Sequence, residues 1–121
     1  MRLRFAPTPQ AAGKARSEMI AFSESVDPDC LAALKSVVGE LVALSVKSRH
    51  ADPIALDVQL DRGYIRGVLV DRGAGARALE GRDATPDRAI ARRIIEAMVL
   101  DWGATPSGSA LWFRIPTRSC A

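Results

Sequence analysis

The chain has 121 residues, of which 48% are hydrophobic and 26% charged, and its formal net charge is +3. This length and composition are typical of one globular domain, so we interpret residues 1–121 as a single domain. No apolar run approaches the roughly 20 residues that cross a bilayer, and no apolar signal core is found at the start, so we expect a cytoplasmic protein without membrane contact. Two cysteines, Cys30 and Cys120, fit neither a disulfide framework nor a zinc site.

The first half of the chain is predicted to form a strand and two helices. Residues 3–6 form the predicted strand, and residues 11–22 form a first helix with apolar residues at helical spacing. Asp29 is placed to cap a second helix that ends near residues 49–50. The apolar stripe of this second helix comprises Leu31, Leu34, Val38, Leu41, Val42 and Ser45.

A β-hairpin is predicted in the middle of the chain. Apolar and polar residues alternate over 54–60, which indicates a strand with one buried face formed by Ile54, Leu56, Val58 and Leu60. Residues 61–63 form a tight turn into a second strand over 64–70.

After the hairpin we predict a long loop over 72–87, a third helix that begins at Pro86 or Asp87, and a last strand over 110–115. Trp102 and Trp112 are expected to pack the helix onto the sheet. The predicted buried side of the helix comprises Ala89, Ile90, Ile94, Ala97 and Met98. Three helices on a mostly antiparallel sheet make an α+β two-layer sandwich.

The second strand of the hairpin ends at the acid Asp71, and two glycines follow it, Gly73 and Gly75. A carboxylate in a half-buried pocket is a strong acceptor, and glycine tolerates a positive φ without placing a side chain in the way of a ligand. A nucleotide pocket would explain the acid and the glycines together. The alternative is a turn that Asp71 caps and the glycines shape.

Several stretches in order resemble the histidine-kinase-type ATPase domain (GHKL) in its short bacterial form, that of the anti-sigma-factor serine kinases. They are Glu40-Leu41-Val42, the end of the hairpin at 71–75, the Gly/Arg-rich loop, Asp101-Trp102-Gly103 and residues 108–113. The resemblance extends from about residue 2 to 116 and implies the GHKL fold. It also implies that ATP or ADP is the cofactor.

The resemblance implies roles for particular residues. Asp71 would accept a hydrogen bond from the adenine amino group, while Gly73 and Gly75 would let the backbone approach the base and form the hinge of a lid. Asp87 stands where relatives aim backbone N–H groups at the phosphates, and an acid there would repel them. Arg82 or Arg88 would compensate for the charge of that acid. The last residue of the implied cofactor site is Ser109, which stands one residue before the position where the family has a small hydroxyl side chain near the base.

The chain departs from the family at the magnesium site. The family places an asparagine four residues after its glutamate, and here that position is Leu44, which cannot ligate a metal. Ser45 would be a poorer, neutral ligand, so no metal ligand is predicted. Glu40 keeps the position of the acid that orients water or acts as general base. A solvated glutamate on the helix surface is the alternative for Glu40, and weak or no kinase activity is expected.

The predicted function is that of an ATP- or ADP-binding, anti-sigma-factor-like regulator of bacterial transcription. Its implied partner is a sigma factor or an anti-sigma-factor antagonist, and an active enzyme would phosphorylate a serine of that antagonist. The alternative is a degenerate interaction module that binds such a partner without nucleotide. The sequence is also compatible with a homodimer. A third option is nucleic-acid binding through residues 72–93, which is not favoured because acids are mixed with the arginines.

Overall fold

The computed structural model of the chain describes residues 1–47, 52–72 and 86–117. These residues form an α+β protein in which three helices and a five-stranded antiparallel open sheet pack together. In the described ranges, no helix is both long enough and apolar enough to cross a membrane. The predicted end of the second helix near residues 49–50 and most of the predicted loop over 72–87 lie outside the described residues.

The strands follow the spatial order β1-β2-β3-β5-β4, and each neighbouring pair is antiparallel. Their bounds are β1 Arg2–Phe5, β2 Ile54–Leu60, β3 Tyr64–Val70, β4 Asp101–Ala104 and β5 Ala110–Pro116. The predicted hairpin of β2 and β3 is confirmed, and its turn contains Gly63 at a φ of 79°. Strand β4 was not predicted, because Asp, Gly and Ala have low β propensity.

Strand β4 is held by contacts with its neighbour β5. Its Asp101 accepts two hydrogen bonds from Arg114 of β5, one of them from Nε to Oδ1 at 2.7 Å. The Arg114 guanidinium also lies 5.1 Å from the ring centroid of Tyr64 on β3. Hydrogen bonding by Arg114 lowers the pKa of the Asp101 carboxyl. Pairing and side-chain contacts therefore define this strand, and local propensity does not.

Alternate residues of each strand form one buried face of the sheet. Leu56 lies opposite Leu69, and Leu69 lies opposite Leu111, which makes a continuous apolar row across three strands. The prediction that Leu60 is buried is wrong, since 45% of its surface is exposed. Alternation correctly assigns Leu60 to this face, but the buried part of the face ends before the hairpin turn.

The helices are α1 Ala11–Glu18, which continues into a short 3-10 helix at Met19–Phe22, α2 Pro28–Lys47, and α3 Pro86–Met98. Helix α2 is the central helix and contacts α1, α3 and β5. Its buried surface is wider than the predicted stripe and comprises Cys30, Leu34, Val37, Val38, Gly39, Leu41, Val42, Leu44 and Ser45. A helix enclosed on several sides has no single apolar face.

The start of α2 corrects the predicted cap. The Oδ1 atom of Asp27 accepts a hydrogen bond of 2.8 Å from the backbone N–H of Cys30, whereas Asp29 lies inside the first turn. Pro28 is the first helical residue, a position where the missing N–H of proline costs no hydrogen bond. The N-cap is therefore the residue before it, Asp27.

Replacing Asp27 with alanine should lower the free energy of unfolding by about 1 kcal/mol, because the Cys30 N–H loses its partner. The substitution Asp27→Asn should cost much less, since an amide oxygen can cap in the same way. As a matched control, Asp29→Ala removes only a charge near the helix dipole and should cost about 0.3 kcal/mol. Urea unfolding followed by circular dichroism measures all three. An equal cost at positions 27 and 29 would contradict the cap.

The packing of α3 differs from the predicted one. Its buried residues are Ala91 and Ile95, with Ile94 and Met98 partly buried. Three members of the predicted stripe, Ala89, Ile90 and Ala97, are exposed. The buried face is therefore turned around the helix axis relative to the predicted one.

The two tryptophans lie on opposite faces of the sheet. Trp102 packs against the core, and the Arg92 guanidinium of α3 lies 5.6 Å from its ring centroid, as the prediction of a helix-to-sheet contact requires. The prediction is wrong for Trp112, which stands opposite Gly103 on the other face. Strand alternation separates Trp112 from its buried neighbours on β5.

Candidate functional site

The candidate site lies at Asp71, the first residue after β3. This residue is only 2% exposed, and in the described part of the chain Ser45 and Asp71 are the two buried polar side chains. A buried carboxylate is costly unless hydrogen-bond donors surround it. The sequence singled out Asp71 as a ligand-binding residue, and the structure places it inside the protein.

The backbone turns sharply immediately after this acid. Arg72 has a φ of 59°, a conformation that is uncommon for residues other than glycine. Its Nε atom lies 3.0 Å from Oδ2 of Asp52, so an ion pair joins the segment before β2 to the end of β3. Sequence reasoning assigned the backbone freedom to Gly73 and Gly75, which lie outside the described residues. Nothing in the sequence marks an arginine for this conformation.

The sheet register brings Ser109 to the same end as Asp71. Val70 pairs with Ala110, so the next residues along the two strands, Asp71 and Ser109, follow side by side. Ala110 is buried, whereas Ser109 is exposed and its hydroxyl lies 2.7 Å from that of Ser107. Ser109 therefore lies at the outer rim of this region.

Helices α2 and α3 each have one end that lies toward Asp71. At the opposite end of the sheet, a cavity of about 200 Å³ is lined by Asp29, Cys30, Ala33, Ala97, Met98, Ile115 and Pro116. This set contains the N-terminal turns of α2 and the C-terminal turn of α3. With 20 and 13 residues the helices are about 30 and 20 Å long. The C-terminal turns of α2 and the N-terminal turn of α3 therefore lie toward Asp71.

Helix α2 carries Glu40, Leu44 and Ser45 in its C-terminal half. Glu40 is half-buried and makes no ion pair with the described residues. Leu44 is 4% exposed and Ser45 is fully buried. In the described ranges, no cluster of three or more histidine, cysteine or acidic side chains could hold a metal ion. The residues present on α2 do not fit a magnesium site, because the side chain of Leu44, at the position that the resemblance assigns to the ligand, has no oxygen.

The first turn of α3 contributes Arg88, which is half-buried. Backbone N–H groups at a helix N-terminus carry partial positive charge, and a cation in the same turn adds to it. Arg88 and the helix N-terminus therefore favour an anion here, whereas the neighbouring acid Asp87 opposes one. Arg82 was predicted to act beside Arg88 and lies outside the described residues.

Sequence reasoning missed the hydroxyl cluster in the turn before β5. The hydroxyl groups of Thr105 and Ser107 are 3.2 Å apart, and the hydroxyl of Ser107 is also hydrogen-bonded to that of Ser109. Thr105 also accepts a hydrogen bond of 3.3 Å from the N–H of Ala110, which fixes the start of β5. The sequence Thr-Pro-Ser-Gly-Ser could have indicated such a turn.

Cys30 does not belong to the site. It is buried at the opposite end of α2, and burial together with the charge of Asp27 raises the pKa of its thiol. A protonated, enclosed thiol is a poor nucleophile.

No protein-family model matches this chain, and no curated protein matches it. The class that the structure defines is an α+β protein with an open antiparallel sheet.

Proposed function

We propose that this chain binds an adenine nucleotide, ATP or ADP, as a regulatory domain similar to the short bacterial GHKL proteins. Three helices packed with an open antiparallel sheet are compatible with that fold. The observation that carries the proposal is the buried carboxylate of Asp71 at the end of β3.

The chemistry of the site suits a nucleotide in one orientation. The Asp71 carboxylate has two oxygens and accepts several hydrogen bonds, so it can accept from the adenine amino group while its other contacts persist. The first turn of α3 lies toward the same end, and its Arg88 would attract the phosphates and compensate for the neighbouring acid Asp87. Gly73, Gly75 and Arg82 complete the proposed site, and Ser109 stands at its rim.

The proposed activity is nucleotide-dependent binding of a regulatory partner, with weak or no kinase activity. Leu44 removes the oxygen ligand that would hold magnesium near the phosphates, and phosphoryl transfer depends on that charge neutralisation. If transfer occurs, Glu40 is the candidate general base and a serine of the partner is the acceptor. The proposed partner is a sigma factor or an antagonist of an anti-sigma factor.

Calorimetric titration with ATP, ADP and GTP, with and without magnesium, tests the proposal. We expect saturable binding of ATP and ADP that does not depend on magnesium. GTP should bind at least about tenfold more weakly, since guanine places a carbonyl oxygen where adenine offers its amino group to the Asp71 carboxylate.

The variant Asp71→Asn keeps the size of the side chain and should lose about tenfold in ATP affinity. Because the new amide can donate a hydrogen bond to the guanine carbonyl, the variant should also lose its preference for ATP over GTP. Asp61→Asn, in the exposed hairpin turn, is the matched control and should bind like the wild type. Melting temperatures without nucleotide exclude a folding defect.

A silent titration with every nucleotide, together with an unchanged melting temperature, would overturn nucleotide binding. It would favour the second candidate, an interaction module of the same fold without a cofactor. The observation in favour of that candidate is the buried Leu44 at the position of a metal ligand.

A further inference from the structure

We propose that the free edge of β1 binds an extended acidic segment of a partner protein, which pairs with Arg2 and Arg4 as a sixth strand. This surface lies at the edge of the sheet and does not depend on the proposed nucleotide site.

The hydrogen bonds of β1 leave one edge open. Met1 and Val58 exchange two backbone hydrogen bonds of 2.9 Å each, and the same antiparallel register continues to Phe5. Because such bonds alternate along a strand, the N–H and C=O groups of Arg2 and Arg4 point away from β2. No strand in the described part of the chain pairs with that side. An open edge of this kind is a template for an added strand.

A groove alongside β1 gives room for the side chains of an added strand. It has a volume of about 700 Å³ and lies between β1 and α1. Leu3 and Phe5 line it from the strand, and Gly13, Lys14 and Ser17 line it from the helix. A strand placed on the edge would direct every second side chain toward this groove, where the half-buried Leu3 offers an apolar contact.

The charges of this edge favour an acidic occupant. Arg2 and Arg4 are exposed on the strand, and Lys14 and Arg16 line the groove from α1. Two acids lie near these four cations, Glu18 in the groove and Asp57 on β2, whose Oδ2 atom is 3.6 Å from Nε of Arg2. The edge therefore keeps an excess of positive charge, and Arg4 is the strand cation without an ion pair to a described residue. Acidic residues at alternate positions of an added strand would stand beside the two strand arginines. Opposite charges on neighbouring strands stabilise the pair.

The same charges oppose pairing between two copies of the chain. Antiparallel pairing of two β1 strands about Leu3 would place Arg2 of each copy opposite Arg4 of the other. Like charges directly opposite each other destabilise a strand pair, and basic residues on edges suppress self-association. The pattern therefore selects a partner strand in which acidic and apolar residues alternate.

A short fluorescein-labelled peptide in which glutamate and valine alternate tests this surface with the full chain. We expect saturable binding by fluorescence anisotropy and slower hydrogen exchange of the Arg2 and Arg4 amides. Arg4→Glu should weaken binding by about tenfold or more. Arg66→Glu makes the same change on the same face of the sheet, two strands away from the edge, and should change the affinity little.

The same peptide carrying N-methyl groups at the pairing residues keeps its charge but cannot form the ladder, and it should not bind. Equal affinity for both peptides would overturn the proposal in favour of charge attraction alone. No saturable binding of the unmethylated peptide would also overturn it. Dimers that form with rising protein concentration and protect the Arg2 and Arg4 amides from hydrogen exchange without peptide would also overturn it, since a second copy of the chain would then occupy the edge. Peptide binding should be unchanged in Asp71→Asn, which separates this result from the nucleotide test.

Discussion

Replacing Gly67 with alanine is expected to lower the free energy of unfolding by about 3 kcal/mol. Gly67 lies in the middle of β3 directly opposite Phe113, whose ring is fully buried. A Cβ atom at position 67 would lie 2.9 Å from Cε2 of that ring and closer still to two other ring atoms. The ring is enclosed by the core, so the added methyl group forces either the strand or the ring out of place.

Intrinsic propensity predicts the opposite sign for this substitution, since glycine weakens a strand interior. Gly13→Ala is the matched control. Its Cβ would lie 3.7 Å from the flexible end of the Arg16 side chain, which is ordinary packing. Within helix α1 this change should stabilise the protein by about 0.5–1 kcal/mol. Urea unfolding of both variants measures the contrast.

A double-mutant cycle identifies the cause of the loss at position 67. Phe113→Leu makes room in the core, so Gly67→Ala should cost much less in that background than in the wild type. Additive costs would mean that the Phe113 ring is not the obstacle.

Replacing Ile95 with alanine is expected to lower the free energy of unfolding by about 3 kcal/mol. Ile95 is fully buried, and with Ala91 it anchors α3 against the rest of the core. Removing three carbons there leaves a cavity that the surrounding core closes only in part. The N-terminal turn of α3, which carries Arg88, should also become more mobile, and faster hydrogen exchange along α3 would report this.

Ile90→Ala is the matched control on the same helix. Ile90 is 58% exposed, so its truncation should change the free energy of unfolding by no more than about 0.5 kcal/mol. The buried stripe predicted from the sequence contains Ile90 and omits Ile95. On that prediction, Ile90→Ala would destabilise the protein more than Ile95→Ala. Equal or reversed costs would contradict the packing of α3 described above.

The site was predictable where its chemistry is local. Asp71 follows a clear strand pattern, which places an acid at the end of the strand. The sequence predicted a half-buried pocket for this acid, whereas the structure leaves only 2% of it exposed. The proximity of Ser109 was not derivable from spacing, because it depends on β3 pairing with β5. The positive φ at Arg72 likewise depends on the surrounding structure, which includes the ion pair with Asp52.

The sequence by itself determined the elements that have a strong period or a strong turn. The hairpin of β2 and β3, the long helix α2 and a start of α3 at Pro86 or Asp87 were all predicted, because alternation, helical spacing and proline act within a few residues. Tertiary structure alone decided β4, the position of Trp102 on it and the buried face of α3. Each of these depends on which surface a distant segment covers, and the free energy of that burial outweighs the small differences in local propensity.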